Sequence, residues 1–472
     1  MTNKFFITTP VYYVNDKPHI GHAYTTVAAD VLARAHRGQG EDVFFLTGTD
    51  EHGLKIQHKA EEKREEPQKF VDEISAEFKN TWDNLAIKYD NFIRTTDPRH
   101  KAAVQKVLQF LYEKGAIYKG EYEGLYCVGC EQFKNENELV NDRCPDHDTV
   151  VEKIKEECYL LRMGDMQNEL IEKIAKDEFQ IRPAKYKKEI LSFLRNEKLK
   201  DISISRKNVS WGIPLPFDPE HTTYVWFDAF LSYLTGLGWE GNSKELPMLW
   251  PADIQLIGKD ILRVHATIWP IMLMHFGIVF PKLLYVHGHI LSGGRKMSKT
   301  IGNVIGIDEM IEKFGIDGTR YLLMSAGTFG EDVDVTMKRM IEKYNADLAN
   351  GLGNLISRIV KLSSITNYKL QITNQIQNPN DKITIHFRKL ELNQILDKIW
   401  GIVRKDDKFI EDNKPWELQK SDKNKFEEVM KKLNSDLHLI SELLIPFMPD
   451  TSEKIKKALK ERKAEILFPR IK

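Results

Sequence analysis

The N-terminal segment constrains the fold most, because a strand, a turn and a helix follow one another within residues 5–36. β-prone apolar residues fill Phe5–Thr9 and continue over Val11–Val14, which predicts a strand buried in a sheet. Asn15–Pro18 predicts a turn, and the apolar spacing from Ala23 onward predicts a helix over 23–36. This order begins an α/β domain with a parallel sheet.

The junction carries the sequence His19-Ile20-Gly21-His22. The first turn of a helix offers backbone N–H groups and the positive end of the helix dipole, which suit a phosphate. His19 and His22 are three residues apart and share a helix face. Gly21 has no Cβ, so a flat base can lie against the backbone.

A second basic motif, Lys296-Met297-Ser298-Lys299-Thr300, follows the predicted strand Leu283–Val286 and the glycine-rich approach Ser292–Arg295. Its predicted setting is a loop, where lysines suit a pyrophosphate that gains charge and leaves. Either motif alone is weak: two histidines fit a core or surface position, and a lysine-rich run is usually a solvated loop. Together and in this order, they resemble the two ATP-binding signatures of class I aminoacyl-tRNA synthetases.

That resemblance assigns phosphate contacts. It implies catalytic roles for His19, His22, Lys296 and Lys299, and additional ATP contacts for Gly21, Met297 and Ser298.

Bulk composition excludes little. The 472 residues carry 69 basic and 69 acidic side chains, and about three domains fit this length. The neutral total neither supports nor excludes nucleic acid, because binding depends on a local basic face. The N-terminus lacks a secretory pattern, and the apolar run Ile268–Phe280 is too short to span a bilayer. We therefore expect a cytoplasmic protein.

The α/β pattern is interrupted and then resumes. Predicted strands lie at Asp42–Thr47, Thr223–Phe227 and Ile254–Gly258, and helices are predicted at 68–87 and 99–113. From about Gly115 to Tyr224 the chain has short charged segments with few long apolar strands. A split Rossmann-like domain with an insertion explains this pattern. After Ile307 apolar residues keep helical spacing, which predicts a helix bundle beyond a polar connection at 366–382.

The cysteines indicate a metal. Cys127, Cys130, Cys144 and His147 form a C-x2-C-x13-C-x2-H pattern, which is typical of a tetrahedral structural zinc knuckle. The alternatives are unmetallated buried thiols or a site that has lost its metal. Cys158 lies outside the pattern and is predicted to be a core residue.

The whole chain resembles the methionyl-tRNA synthetases. The similarity rests on Thr9–Asn15, Thr47–Gly53, Tyr224–Ala229 and Gly258–His265. It implies a catalytic domain in two halves (1–114 and 223–306), a connective insertion with the zinc knuckle (115–222), stem-contact and linker helices (307–350) and an α-helical anticodon-binding domain (351–472).

The same resemblance implies a methionine pocket. Its members would be Val11, Tyr13, Asp50, Trp226, Ala229, Tyr233, Asp260, Val264 and His265. Asp50 would hold the substrate ammonium, and Asp260 would orient the pocket or the amine. Val264 departs from the phenylalanine that is frequent there. For these aromatic residues the alternative is core packing, and for His52 and His287 a structural role is the expectation.

The resemblance also implies partners. Asn354 and Arg358 share a helix face and would hydrogen-bond anticodon bases, and Trp416 would stack on a base or act as a hydrophobic staple. The expected ligands are methionine, ATP with Mg²⁺, zinc, and tRNA(Met), including the initiator; no membrane is involved, and a monomer is expected.

Two other classes stay open at this stage. Synthetases for cysteine or branched aliphatic amino acids share both ATP motifs, although the latter usually carry a larger editing insertion. A tRNA-binding relative without catalysis is disfavoured by the intact His19, His22, Lys296 and Lys299.

Overall fold

The computed structural model describes residues 3–127, 132–134, 139–145, 149–207, 209–297, 304–364, 386–463 and 465–472, with only the backbone at 122–123, 132–134, 154 and 296. The strands are β1 Lys4–Tyr13, β2 Asp42–Asp50, β3 Asn91–Arg94, β4 Ile117–Cys127, β5 Gln132–Lys134, β6 Arg143–Cys144, β7 Thr149–Val150, β8 Glu152–Leu161, β9 Gln180–Arg182, β10 Ile202–Ser203, β11 Ser205–Arg206, β12 Pro214–Leu215, β13 Asp218–Thr223, β14 Ile254–Gly258, β15 Leu283–His287, β16 Ile290–Ser292, β17 Arg295–Lys296 and β18 Val333–Asp334.

The helices that position the site come first in the chain, and the bundle helices follow. They are α1 Ile20–Gly38, α2 Leu54–Lys63, α3 Pro67–Asn84, α4 Pro98–Glu113, α5 Gln167–Ala175, α6 Ala184–Asn196, α7 Val225–Thr235, α8 Leu262–Phe276, α9 Ile307–Met324, α10 Met337–Lys343, α11 Asn354–Ser364, α12 Leu392–Asn413, α13 Pro415–Ser421, α14 Lys423–Leu444 and α15 Pro449–Glu461, with a π-helix at Tyr344–Gly353. None of these described helices combines the length and hydrophobicity that a membrane span requires.

A six-stranded sheet forms the centre of the α/β domain, in the order β3-β2-β1-β14-β15-β9. β1 pairs in parallel with both β2 and β14, so the predicted parallel α/β fold is confirmed. From β1 the chain first builds outward to β2 and β3, and it later returns to the other side of β1 with β14. Ligands of such sheets bind at the carboxyl ends of the strands where the order reverses, which here are the ends of β1 and β14.

Near the end of β2, the backbone at Gly48 leaves no room for a side chain. A Cβ added to Gly48 would lie 2.0 Å from the carbonyl oxygen of Ile93 in β3. Gly48 therefore lets β2 and β3 approach each other at the edge of the sheet where the ligand is expected.

The insertion contains longer strands than its sequence suggests. β4 and β8 pair antiparallel from Ile117 opposite Leu161 to Tyr126 opposite Glu152, within a four-stranded sheet of order β10-β8-β4-β5. Charged residues occupy every second position of β4 at Lys119, Glu121 and Glu123, and they fill most of β8 from Glu152 to Glu157. These charges hide both strands from a search for apolar runs.

One predicted strand is wrong. The strand expected at Thr223–Phe227 ends at Thr223, and Val225 begins α7. Trp226 therefore lies in the first turn of a helix and not at a strand end. Every residue of α7 except Trp226 is buried, so the helix has no polar face, and its apolar, aromatic start cannot be told from a strand by periodicity.

By their internal contacts, the residues form two compact units. The first contains the residues up to Pro18 together with Glu41–Asn80 and Lys88–Val286. The second contains His19–Gly40, Thr81–Ile87 and the part of the chain from His287 onward. Helix α1 thus belongs to the same unit as the second basic motif and the C-terminal helices.

A fully buried guanidinium connects several segments of the second unit. Arg320 in α9 pairs with Asp30 of α1 at 2.7 Å, and both side chains are fully buried. Three further N–H groups of Arg320 donate to the carbonyl oxygens of Leu85, Pro446 and Phe447 at 2.8–3.1 Å. One side chain therefore ties α1 to the segment before α15 and to residues 81–87.

The C-terminal helices bury one apolar face each, as their spacing predicts. The buried positions include Phe387, Leu390, Ile395, Ile399, Val403, Phe426, Val429, Met430, Leu433, Leu437 and Ile440. The helical bundle is therefore present, while the polar connection predicted at 366–382 lies outside the described residues.

Candidate active site

The first histidine motif caps α1. His19 is the N-cap residue, and its Nδ1 accepts a hydrogen bond of 3.1 Å from the backbone N–H of Gly21. In return, Nδ1 of His22 accepts from the backbone N–H of His19 at 3.3 Å. The two imidazoles form a reciprocal capping box, a task usually given to serine or threonine with glutamate.

This cap fixes the tautomers of both rings. Because each Nδ1 accepts, the proton of each neutral imidazole sits on Nε2. The rings stack with their centroids 3.6 Å apart. Burial lowers the pKa of His22 well below its usual value, and neighbouring His19 lowers it further. Both rings therefore present their Nε2–H groups as donors at the positive end of a 19-residue helix.

The second motif begins on a β-hairpin, which corrects the loop prediction for Lys296. β16 and β17 pair antiparallel, with Leu291 opposite Lys296. Gly293 and Gly294 form the connection with φ of +62° and +75°, as a two-residue hairpin turn that favours glycine requires. Met297 follows and is half-buried. Ser298 and Lys299 lie outside the described residues.

The hairpin is attached to β18. β16 pairs in parallel with β18, with Leu291 opposite Asp334. An Asp334 carboxylate oxygen also accepts from the N–H of Gly294 at 3.0 Å. The backbone of the hairpin turn is thus held in place just before Lys296.

Two candidates for the methionine pocket meet across the central sheet. Tyr13 at the end of β1 lies opposite Asp50 at the end of β2, and Val11 lies opposite Gly48. The N–H of Val14 donates to the carbonyl oxygen of Asp50 at 3.1 Å. These strand ends place the buried Asp50 at the carboxyl edge of the sheet.

Two further candidates form a hydrogen-bonded chain. Nδ1 of His265 lies 2.9 Å from the carbonyl oxygen of Ile261, which can only accept. Nδ1 of His265 therefore carries the proton, and Nε2 accepts from the hydroxyl of Tyr233 at 2.8 Å. Burial lowers the pKa of His265 to about 4, so this chain is uncharged at neutral pH.

The aromatic wall around His265 is larger than the sequence suggests. Trp226 approaches the imidazole edge to face at 6.5 Å between centroids, and Phe230 lies closer, at 5.0 Å. Phe230 stacks in turn on Trp269 at 5.7 Å. Neither Phe230 nor Trp269 is among the predicted residues, although Phe230 follows Trp226 by one helical turn and Trp269 follows His265 by another.

The remaining pocket candidates lie on the same elements. Ala229 is buried in α7, and Val264 in α8 is half-buried against the hydrophobic core. Asp260 lies in the short 3₁₀ turn at Lys259–Ile261, directly before α8, and is exposed.

Glu51, which follows Asp50, is a functional candidate that the sequence reasoning missed. It is fully buried, and its two carboxylate oxygens accept from the guanidinium of Arg94 at 2.7 and 2.9 Å. Thr49 Oγ1 donates to the same carboxylate at 2.6 Å. Because these bonds hold Glu51 in place, they also fix the backbone that presents Asp50. The signal in the sequence is the acidic pair Asp50-Glu51 at the end of a buried strand.

The predicted zinc ligands lie only partly within the described residues. Cys127 ends β4 and Cys144 lies in β6, and both are fully buried. Cys144 pairs with Thr149 of β7, whose Oγ1 is 3.6 Å from Sγ of Cys127. The fold thus brings these two sulfur atoms to one neighbourhood, which fits a shared ligand. Cys130 and His147 lie outside the described residues, and Cys158 is buried in β8.

The predicted RNA-reading residues lie on two helices of the bundle. Asn354 begins α11 and is exposed, and Arg358 lies one turn further on, 3.4 Å from a carboxylate oxygen of Asp407 in α12. Trp416 follows the buried Pro415 at the start of α13, and 44% of the surface of this residue is exposed. An exposed tryptophan offers a face for stacking.

Known proteins resemble this chain over its whole length. A family model described as tRNA synthetases class I (M) matches residues 5–153 and 134–360. The methionine–tRNA ligase of Caldanaerobacter subterraneus subsp. tengcongensis is 41% identical over 507 residues, covering 100% of this chain and 79% of the relative. The methionine–tRNA ligase of Rickettsia bellii is 40% identical, covering 99% of this chain and 95% of the relative.

A solved structure gives the same result. Mycobacterium tuberculosis methionyl-tRNA synthetase in complex with methionyl-adenylate matches with a TM-score of 0.88 and 32% identity, covering 96% of this chain and 93% of that chain. Family model, relatives and fold therefore agree, and this chain belongs to the methionyl-tRNA synthetase family of class I aminoacyl-tRNA synthetases.

Proposed function

We propose that this chain is a methionine–tRNA ligase. Methionine's carboxylate attacks the α-phosphorus of ATP, which gives methionyl-adenylate and pyrophosphate. The terminal adenosine of tRNA(Met) then takes the methionyl group, and AMP leaves. The observation that carries the proposal is the capping box of His19 and His22, because a catalytic signature is built into the helix end where a phosphate is best held.

Catalysis in this proposal is positioning plus charge stabilisation. His19 and His22 donate from Nε2 to the phosphates, and Gly21 leaves room for the base. Lys296 and Lys299, with Met297 and Ser298 between them, approach the phosphates from the second motif. The carboxylate itself is the nucleophile, so no covalent enzyme intermediate is needed. Mg²⁺ accompanies ATP.

Methionine recognition combines a carboxylate for the ammonium group with an uncharged pocket for the side chain. Asp50 holds the ammonium, and Asp260 orients the amine or the pocket. Val11, Tyr13, Trp226, Ala229, Tyr233, Val264 and His265 enclose the side chain. The Tyr233–His265 pair suits a thioether, because both protons of the pair are already bonded within the protein and a polarisable sulfur packs favourably against aromatic rings.

A structural zinc would stabilise the insertion. Two observations support the site: Cys127 and Cys144 are both buried, and Oγ1 of Thr149, which lies opposite Cys144, is 3.6 Å from Sγ of Cys127. Cys130 and His147 would complete the tetrahedron. With four protein ligands the coordination is closed, so the metal binds no substrate.

The bundle at 351–472 would read the anticodon of tRNA(Met), initiator and elongator included. Asn354 and Arg358 would hydrogen-bond unpaired bases, and Trp416 would stack on one. Residues 307–350 would contact the tRNA stem, and the halves 1–114 and 223–306 would form the catalytic domain around the insertion 115–222.

The proposal is tested by ATP–pyrophosphate exchange with each of the twenty amino acids. We expect exchange with methionine alone, and exchange with cysteine or a branched aliphatic amino acid would assign another specificity. Lys299→Ala should slow exchange by about two or more orders of magnitude with little change in methionine KM. If no amino acid supports exchange, the proposal is wrong and the chain is instead a tRNA-binding protein without catalytic activity.

A further inference from the structure

A buried carboxylate in α7 connects three elements of the first unit. Asp228 is fully buried, and each of its carboxylate oxygens has an imidazole partner. Oδ2 is 2.6 Å from Nδ1 of His52, which lies just beyond β2, and Oδ1 is 3.2 Å from Nε2 of His100 in α4. Both histidines are themselves buried.

His100 contacts α7 a second time. Its Nδ1 is 2.7 Å from Oγ1 of Thr235, the last residue of the helix. The assignment that satisfies every group has Nε2–H of His100 donating to Asp228 and the hydroxyl of Thr235 donating to Nδ1. One imidazole thus holds the first and the last turn of α7, and His52 holds the first turn from another side. We call Asp228, His52, His100 and Thr235 the α7 clamp.

The clamp and the proposed methionine pocket lie on opposite faces of the same helix. At about 100° per residue, Asp228 and Thr235 lie about 20° apart around the helix axis. Trp226, Phe230 and Tyr233 lie about 140–160° away from Asp228 by the same geometry. The clamp therefore fixes the rotation of α7 about its axis from one face. This rotation sets the positions of Trp226, Phe230 and Tyr233 on the other face.

The electrostatic balance of the clamp favours a fixed geometry. Burial alone would raise the pKa of Asp228, but the two imidazoles reverse this effect and hold it below its usual value. A buried carboxylate with both oxygens satisfied is costly to displace, because an unpartnered buried charge has no water to replace its donors. The helix cannot turn without breaking at least one of these bonds.

His52 also ties the clamp to the residue proposed to hold the ammonium. It lies two positions after Asp50, and its ring packs against Trp211 at 5.6 Å between centroids. The indole N–H of Trp211 donates to the carbonyl oxygen of Glu51 at 2.5 Å. The clamp therefore joins the strand end that presents Asp50 to the helix that presents Trp226.

We propose that Asp228 is a positioning residue for methionine: through His52 and His100 it sets the rotation of α7, and with it the distance between the ammonium site and the side-chain pocket. The inference rests on the proposed methionine activation. Asp228 touches no substrate in this role, and its effect should appear in substrate specificity.

Asp228→Asn tests the clamp in the full-length chain by ATP–pyrophosphate exchange. The amide keeps the volume but cannot accept from both imidazoles in their present tautomers. We expect methionine KM to rise about tenfold with ATP KM changed less than about twofold. The preference in kcat/KM for methionine over ethionine, whose side chain is one methylene longer, should fall by a similar factor.

Thr235 supplies a matched pair of variants that leaves the carboxylate in place. Thr235→Val keeps the volume and removes the hydroxyl bonded to His100, whereas Thr235→Ser keeps the hydroxyl and loses a methyl group. We expect Thr235→Val to raise methionine KM and Thr235→Ser to keep the KM of the unmodified chain, although Thr235→Ser loses more packing. If Asp228→Asn does not fold, this pair decides the question alone.

Equal shifts in the KM values of methionine and ATP, or lowered melting temperature with unchanged specificity, would overturn the inference and leave the clamp a purely structural device. Failure of the proposed function is seen separately, because the unmodified chain would then show no exchange with methionine.

Discussion

Oγ1 of Thr25 and Nε2 of His287 are joined by a hydrogen bond of 2.7 Å, and both residues are buried. Thr25 lies in the second turn of α1, after the histidine motif, and His287 ends β15, just before the hairpin that carries Lys296. The ring of Tyr24 contacts the same imidazole edge to face at 5.2 Å. The two ATP signatures are therefore connected through a buried contact within one unit.

Replacing Thr25 by valine should weaken that connection. The variant removes the hydroxyl that is bonded to the buried imidazole of His287, and the loss of a buried hydrogen bond costs about 1–3 kcal/mol. Urea denaturation should show this loss, and ATP–pyrophosphate exchange should slow at unchanged methionine KM. Thr25→Ser retains the hydroxyl and serves as the control; equal loss in both variants would assign the effect to the methyl group.

His19 has a capping role and a proposed catalytic role, and asparagine separates them. Asparagine is a good N-cap residue, so His19→Asn should stay within about 0.5 kcal/mol of the unmodified chain in unfolding free energy. It lacks the imidazole Nε2–H, so exchange should fall by about two to three orders of magnitude. His19→Ala should lose both properties, and normal exchange by His19→Asn would remove His19 from the catalytic set.

Gly48→Ala should be severely destabilising. The new Cβ would lie 2.0 Å from the backbone oxygen of Ile93, and backbone in a paired strand cannot move aside cheaply. We expect a loss of about 3 kcal/mol or more in unfolding free energy. Gly38→Ala is the control, because a Cβ there meets nothing within 4 Å. Soluble Gly48→Ala of normal melting temperature would contradict this packing.

His265 should make stability depend on pH. Its pKa in the folded chain is about 4, below the ordinary value of about 6.5. Between these values the unfolded chain binds a proton that the folded chain does not, so unfolding free energy falls as pH drops below about 6.5. The slope from this residue is at most about 1.4 kcal/mol per pH unit.

The measurement compares His265→Gln with the unmodified chain by urea denaturation at several pH values from neutral to mildly acidic. Unfolding free energy should fall less steeply with acidification in the variant. Parallel curves would show that His265 is protonated equally in both states.

Zinc content distinguishes the ligand cysteines from the core cysteine. Cys127→Ser and Cys144→Ser should each lower bound zinc well below one atom per chain, and chelation should destabilise the unmodified chain. Cys158→Ser removes a thiol outside the pattern and should retain the metal. Elemental analysis of the purified proteins decides this, and equal zinc in all variants would exclude the knuckle.

The sequence predicts what depends on neighbours along the chain. β1, the turn and α1 follow from local periodicity, and His19 and His22 meet because they are one helical turn apart. The start of α7 could not be assigned, because Trp226 and Phe227 suit a strand and a buried helix equally well. The hairpin at Gly293–Gly294 was hidden by its short strands.

Contacts between residues that are far apart in the sequence cannot be predicted from local patterns. Asp228 and His100 are separated by 128 positions, and no local pattern in either segment identifies the other. The same holds for Arg94, which locks Glu51 from a neighbouring strand. These contacts follow from the order of strands in the sheet, which becomes visible only in the folded chain.

The buried pair of Asp30 and Arg320 has a consequence for synthesis on the ribosome. A charge of either sign is costly to bury without a partner. Asp30 pairs with Arg34 of its own helix at 2.7 Å, but Arg320 has its ion-pair partner in Asp30 and emerges 290 residues after it. The carbonyl groups of Pro446 and Phe447 that complete the network emerge later still. The complete network of Arg320 therefore forms only after residue 447 has been translated, so the buried environment of α1 is completed late in elongation.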